Sequence, residues 1–456
     1  MFTRDKAFYK MFFKLAVTLM LEQAVVLSVN LADNVMLGSY TGDSLAEYAL
    51  AGVAAANQLQ FILQQIVYAA STGMIILGSQ YWGKKRLGEI RTLTGIAART
   101  AFVFCAAMFL AVSLLPEQIL GIFTPKQEII QAGTQYLGIV RFSYLVFGVT
   151  VVLTGAMRVV ERVRIALIVS VISLILNCSI NYILIFGRFG APQMGVRGAA
   201  VGTLVARCAE LGIMLWYTLC HDKELGLKVK DFAARDRDLT RDYMKVTMPV
   251  VLTQALWGLN NAIQTVILGQ MNDIAIAAQS ISSNLFLLLK VASVGACSAA
   301  SIIIGKAIGE DRGMATLKQY TRTLQALFVA IGLVLGGIML ALRVPMLSLY
   351  RIQPETYELA SAYMLIQSVV LVTMSYQMPV NTGIIRGGGD TKFCLILDLV
   401  SIWVIVLPLS CLAAFVWNAS PVIVIMLLNS DQVFKGFPAF IRVNGYKWVR
   451  KLTREQ

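Results

Sequence analysis

Asp33 is a carboxylate set in a long apolar run, five positions before Gly38. In a helix, Glu22, Val26, Val29 and Asp33 fall on one face, at steps of four, three and four residues. Two readings of that face stand side by side. Asp33 binds a proton or Na⁺ in a water-filled pocket, or it is a buried carboxylate held permanently by hydrogen bonds or a pairing cation. A charged group at bilayer depth is costly to keep and so points to function by default. Asn177 and Asn181 are i, i+4 neighbours and present two amides to one place. Thr203, Arg207 and Glu210 follow a similar stripe in the next apolar segment. Buried Asn and Thr also serve simply to tie helices together. Arg207 and Glu210 have the spacing of a structural ion pair near a helix end.

The second half of the chain carries a different set. Gln254, Trp257, Asn261 and Gln264 share one helical face behind Pro249. Lys290 sits near the middle of an apolar segment, and Asp398 lies in the inner part of another. Gln254, Trp257, Asn261, Lys290 and Asp398 are therefore candidates for a second substrate or ion site. Lys290 and Asp398 differ in expected depth by about 10 Å at ~1.5 Å rise per residue. Pro249, Pro379 and Pro408 interrupt apolar segments and are expected to kink them.

Other chemistries lack their residues. The single histidine, His221, lies in a polar stretch, so neither a histidine metal site nor a charge-relay triad is expected. The seven cysteines show no Cys-x-x-Cys spacing and read as small core hydrophobes. There is no P-loop, no Gly-x-Ser-x-Gly and no His-Glu-x-x-His. No catalytic residue, metal or cofactor is expected, and active transport would need an ion gradient or another chain.

The elements that position these residues follow from composition. Of 456 residues, 57% are apolar and 14% charged, against about 45–50% and about 25% in soluble domains. The surplus apolar surface needs lipid to solvate it. Segments long enough to span a bilayer fall near 12–38, 45–78, 93–115, 128–157, 163–187, 196–220, 243–270, 274–305, 315–343, 356–386, 392–417 and 420–441. Lys6, Lys10 and Lys14 lie opposite Phe8, Phe12 and Phe13, the pattern of a short interfacial helix on the cytoplasmic surface.

The net charge of +14 is spread over short loops, which argues for membrane topology and not for nucleic acid as partner. With twelve spans and both termini inside, only Lys126, Arg188, Arg197, Arg343 and Arg351 of the 39 basic residues reach the outer loops. Arg99, Arg141, Arg207 and Lys290 fall within spans, and the rest are inside. The polar stretch 221–242 divides two six-span halves: an N-lobe over 1–220 and a C-lobe with its tail over 243–456. Asn57, Ser71 and Gly78 recur in one register as Asn284, Ser298 and Gly305. Thr154-Gly155-Ala-Met-Arg158 recurs as Thr382-Gly383-Ile-Ile-Arg386. Six is even, so the repeat is parallel, and a cavity is expected between the halves.

Five stretches, taken together, resemble the multidrug and toxic compound extrusion (MATE) family, prokaryotic type. They are Asp33-Asn-Val-Met-Leu-Gly38, Asn177-Cys-Ser-Ile-Asn181 through Gly187, Gly195-Val-Arg-Gly198 through Thr203, Met248-Pro249 through Trp257-Gly258, and Gly383-Ile-Ile-Arg386 through Thr391 with Asp398 and Trp403. The resemblance implies proton- or Na⁺-coupled antiport of drugs and other organic cations by alternating access of two lobes. It carries the family's N-lobe cation site to Asp33, Asn177, Asn181 and Thr203. This chain departs from the family at Asn181, where many members have Asp, and at Gln254, where many have Glu.

The expected fold is thus all-α: an integral membrane protein of twelve transmembrane helices in two pseudo-two-fold related six-helix bundles around a central cavity. The expected function is secondary active efflux of small, often cationic, organic compounds by proton antiport, from a monomer in the cell (inner) membrane. Two alternatives remain. A lipid-linked oligosaccharide flippase would need several arginines facing its cavity, and only Arg141 and Arg207 are candidates. A membrane-embedded enzyme would need catalytic motifs that the chain lacks.

Overall fold

A computed structural model describes residues 2–39, 45–124, 126–271, 273–350 and 352–454. Arg351, expected in an outer loop, lies outside the described residues. The described residues are helical and contain no strand. In order, the first seven helices are α1 (Lys6–Gly38), α2 (Leu45–Gly83), α3 (Leu87–Leu114), α4 (Pro116–Gly121), α5 (Gln127–Val159), α6 (Val163–Phe186) and α7 (Val196–Trp216). The remainder are α8 (Arg237–Met271), α9 (Asp273–Gly309), α10 (Gly313–Leu347), α11 (Pro354–Met378), α12 (Thr391–Asp398), α13 (Leu407–Cys411), α14 (Pro421–Leu428), α15 (Asp431–Phe434) and α16 (Gly436–Asn444).

Ten helical stretches among the described residues are long and apolar enough to cross a membrane. The chain is a multi-pass membrane protein. α8 is long enough but more polar, because Gln254, Asn260, Asn261 and Gln264 interrupt its apolar surface. The span expected over 420–441 is not one helix. Asn429 and Ser430 end α14, and Lys435 separates α15 from α16.

The chain forms two compact units. The first contains residues 22–78 and 86–247, and the second contains residues 1–21, 79–85 and 248–456. Both α1 and α2 therefore contribute to each unit.

In the first unit, α7 packs closely on α6. A Cβ on Gly198 would lie 2.8 Å from the Leu184 carbonyl carbon, and one on Gly202 would lie 2.0 Å from Asn181 Oδ1. Small residues four apart let two helix backbones approach in this way. The polar stretch 221–242 is ordered against α3. Arg91 Nε donates to the Leu225 carbonyl at 2.6 Å, and Arg99 Nη1 donates to the Phe232 carbonyl at 3.1 Å. Arg99, which the topology placed within a span, thus serves to hold this segment.

Arg158, expected as a loop charge, ends α5 and donates to Glu22 Oε1 on α1 at 2.5 Å. The two side chains are 15% and 6% exposed. This pairing takes Glu22 out of the polar stripe inferred for α1.

In the second unit, the N-terminal residues do not form a separate surface helix. They are the first turns of α1, with Phe8 and Phe12 buried. Phe8 stacks on Tyr320 and Phe12 lies near Phe328, both on α10. Two residues of the expected apolar face, Phe8 and Phe12, thus meet a helix, whereas Phe13 is exposed. Of the three prolines, Pro379 opens a π-helical stretch over Pro379–Ile385. Pro408 sits in α13 between two more, Leu399–Val406 and Leu412–Val416. α8 runs through Pro249 without a break.

The tail after α16 is also fastened within this unit. Trp448 is fully buried over Gly388, where a Cβ would come within 2.2 Å of its ring. Arg442 and Arg450 both pair with buried Asp390, at 2.5 and 2.8 Å.

Candidate functional site

Three helices of the first unit bring the N-lobe candidates together. On α6, Ser173, Asn177, Asn181 and Ile185 recur every four residues and form its buried stripe. Asn181 Nδ2 donates to Asp33 Oδ1 on α1 at 2.6 Å and reaches Asn177 Oδ1 at 3.3 Å. Thr203 follows Gly202 on α7, so the close α6–α7 approach sets it on the same wall. Asn177 and Asn181 are all but fully buried, whereas Asp33 is half-buried. Asn181 Oδ1 is buried without a hydrogen-bond partner.

Asp33 opens into a cavity of about 370 Å³. α1 lines it with Val26, Val29, Asn30, Asp33 and Asn34, and α2 with Asn57, Gln58, Gln60, Phe61 and Gln64. Tyr136 of α5 and Ser170, Ser173 and Asn177 of α6 add further polar groups. α7 contributes Thr203, Ala206, Arg207 and Glu210. Arg207 Nη1 donates to Glu210 Oε2 at 2.8 Å, and its guanidinium lies over the Phe147 ring at 5.1 Å. The pair expected from spacing therefore exists, but it stands on the cavity wall with Asp33.

Such a chamber can hold one organic cation against a carboxylate, amides and aromatic edges. It is large enough for a small drug-like ligand. The amides of α2 were not singled out from sequence. Their signal was legible in Asn57, Gln60, Phe61 and Gln64, which repeat at helical steps within an otherwise apolar span.

The second-unit candidates fall in two places, with Asp398 apart from Lys290 and Trp257. Lys290 Nζ lies 5.4 Å from the centre of the Trp257 ring. A cation over an indole face is a favourable pairing. Asn261 Nδ2 donates back to the Trp257 carbonyl of its own helix at 3.1 Å. Gln254 is half-buried on α8. Asp398 is turned elsewhere. Lys435 Nζ lies 2.9 Å from its carboxylate and Arg386 Nη2 3.8 Å. Lys435 also pairs with Asp431 at 3.0 Å. Both Lys435 and Arg386 had been assigned to the inner surface by topology, yet both are buried. Sequence spacing could not reveal this, because α15 breaks the last span and turns Lys435 inward.

Comparison with known proteins follows the same division of the chain. The MatE family model matches residues 19–183 and 249–412. The chain is similar to the probable multidrug resistance protein NorM of Thermotoga maritima. They are 24% identical over 449 residues, covering 97% of this chain and 94% of that one. It is also similar to the protein of the same name from Agrobacterium fabrum. They are 25% identical over 414 residues, covering 88% and 86%. Among solved structures, a mutant of the Vibrio cholerae MATE transporter VcmN aligns with a TM-score of 0.87, covering 98% of each chain at 16% identity, a likeness of fold. Two family matches, one in each half, and two relatives aligned over most of their length place this chain in the MatE family, the multidrug and toxic compound extrusion transporters.

Proposed function

We propose that this protein exports small organic cations by proton-coupled antiport, with Asp33 as the carboxylate that holds either the proton or the substrate. One observation carries the reading: Asp33 faces a polar chamber of about 370 Å³ and is held there by Asn181 at 2.6 Å. The relatives' printed names, multidrug resistance proteins, support small and varied substrates. Proton uptake at Asp33 would remove the charge that attracts a cation, so the two ligands oppose each other through one group. That opposition is what exchange requires.

The local chemistry favours a proton over Na⁺. Na⁺ is bound by oxygens, and Asn181 turns an N–H donor towards the carboxylate. Exchange would proceed by alternating access of two lobes, in a monomer set in the cell membrane with both termini cytoplasmic.

The test is substrate-dependent proton flux in proteoliposomes. An outwardly directed substrate gradient should drive proton movement the other way, and a pH gradient alone should drive uphill substrate movement. Substrate transport that ignores the pH gradient would overturn the coupling.

A further inference from the structure

Among the described residues, three charged side chains line the chamber around Asp33: Asp33, Arg207 and Glu210. Its other titratable lining residue is Tyr136, which is neutral at physiological pH. The remaining nearby charges of α1 and α5, Glu22 and Arg158, neutralise each other at 2.5 Å and do not line the chamber. Arg207 is bonded to Glu210 at 2.8 Å and pressed over Phe147, with the two charged side chains only 17% and 10% exposed. Glu210 is therefore its bonded counter-charge. The formal sum along the wall is minus one, and the unbalanced charge sits on Asp33.

We propose that Arg207 is the specificity-determining residue of this chamber: by neutralising Glu210 it leaves one net negative charge, which selects singly charged organic cations over doubly charged ones. The inference rests on the reading of this chamber as the cation site. Its physical basis is the energy of an unpaired charge in a partly desolvated space. Without Arg207, Glu210 would add a second uncompensated carboxylate, and a dication would gain more from it than a monocation. Without Glu210, Arg207 would be free to neutralise Asp33, and the net attraction for a cation would be lost.

Four proteins separate these cases: the wild type, Arg207→Gln, Glu210→Gln and the double variant, with formal wall charges of minus one, minus two, zero and minus one. Binding is measured by equilibrium dialysis of detergent-solubilised full chain at pH 8. The probes are tetraphenylphosphonium, a monocation, and dequalinium, a bis-quaternary dication. Arg207→Gln should raise the preference for dequalinium over tetraphenylphosphonium by about tenfold or more. Glu210→Gln should weaken tetraphenylphosphonium by about tenfold. The double variant should return both values towards wild type, and Arg207→Lys should keep the wild-type preference.

If Arg207→Gln does not fold, Glu210→Gln, the double variant and Arg207→Lys still decide the matter. An unchanged preference in folded Arg207→Gln, or a double variant that does not recover, overturns the role of Arg207. Asp33→Asn is the separate control: if it leaves tetraphenylphosphonium affinity untouched, the chamber is not the cation site and the underlying reading falls instead.

Discussion

Asn181 donates its amide N–H to Asp33 across 2.6 Å, although the two residues stand 148 positions apart in the chain. The bond ties α6 to α1 at the wall of the chamber. It supplies a donor to an anion and adds no positive charge, so Asp33 keeps its formal charge available for exchange.

Asp33→Asn should fold, because the side chain keeps its shape and Asn181 can still donate to the new carbonyl, but it should bind a cationic substrate more weakly. Gradient-driven export should fall to background, since the carboxylate that Asn181 holds can no longer exchange a proton. Asp33→Glu retains the acid but shifts it by one methylene, and should keep part of the activity with a changed pH profile. The measurement is initial rate against pH in proteoliposomes. Wild-type rates and an unchanged profile in Asp33→Asn would remove this carboxylate from the mechanism.

Sodium provides a second test. With Asn181 offering a donor and no charge beside Asp33, transport at fixed pH should be largely the same in Na⁺ and in choline media. A strong Na⁺ dependence that disappears in Asn181→Ala would show that the neutral amide still completes a Na⁺ site.

Gly202→Ala places a methyl where Asn181 Oδ1 stands 2.0 Å away. Asn181 is wholly buried, and the methyl would also lie 3.1 Å from its Cγ. The substitution should loosen the hold on Asp33 and lower transport by about tenfold or more, since small misplacements at a reacting group are expensive. Stability should fall by about 1–3 kcal/mol from overpacking. Thermal unfolding in detergent, set beside transport rate, separates the two effects. Full transport in Gly202→Ala would mean that the amide can leave its place at no functional cost.

The Glu22–Arg158 pair should be structural. Glu22→Gln leaves Arg158 buried without its counter-charge and should cost about 3 kcal/mol or more, whereas replacing both partners by Met should cost much less. Comparing apparent melting midpoints of single and double variants measures this. A double-variant loss equal to the sum of the Glu22→Met and Arg158→Met losses would mean that the two charges do not interact.

The topology can be checked directly. In a background without native cysteines, Asn418→Cys should react with an impermeant thiol reagent added outside intact cells. Lys230→Cys should be protected until the membrane is opened. Both positions are exposed on the protein, so access depends on the side of the membrane alone. The reverse labelling pattern would invert the orientation proposed for the termini.

The sequence by itself determined the membrane setting, the helical class and the shared face of Asn177 and Asn181, while only the family resemblance grouped these two with Asp33 and Thr203. Each depends on local or periodic properties: apolar run length, charge in short loops, and the four-residue repeat that puts Asn177 and Asn181 on one face. Asp33 was legible because a carboxylate in an apolar run is conspicuous without any knowledge of its neighbours. Tertiary structure decided which charges meet. Glu22 pairs with Arg158, Asp398 with Lys435 and Arg386, and Lys290 with the Trp257 ring. These partners come from distant segments, and their meeting depends on helix rotation and on breaks such as those around α15. The same holds for Arg207 and Glu210. Spacing gave the pair, and only the packing of α7 against α6 and α1 placed it on the wall that Asp33 shares. A helical period fixes which residues share a face, but the direction of that face is set by close contacts such as Gly202 on Asn181, which no one-dimensional pattern records.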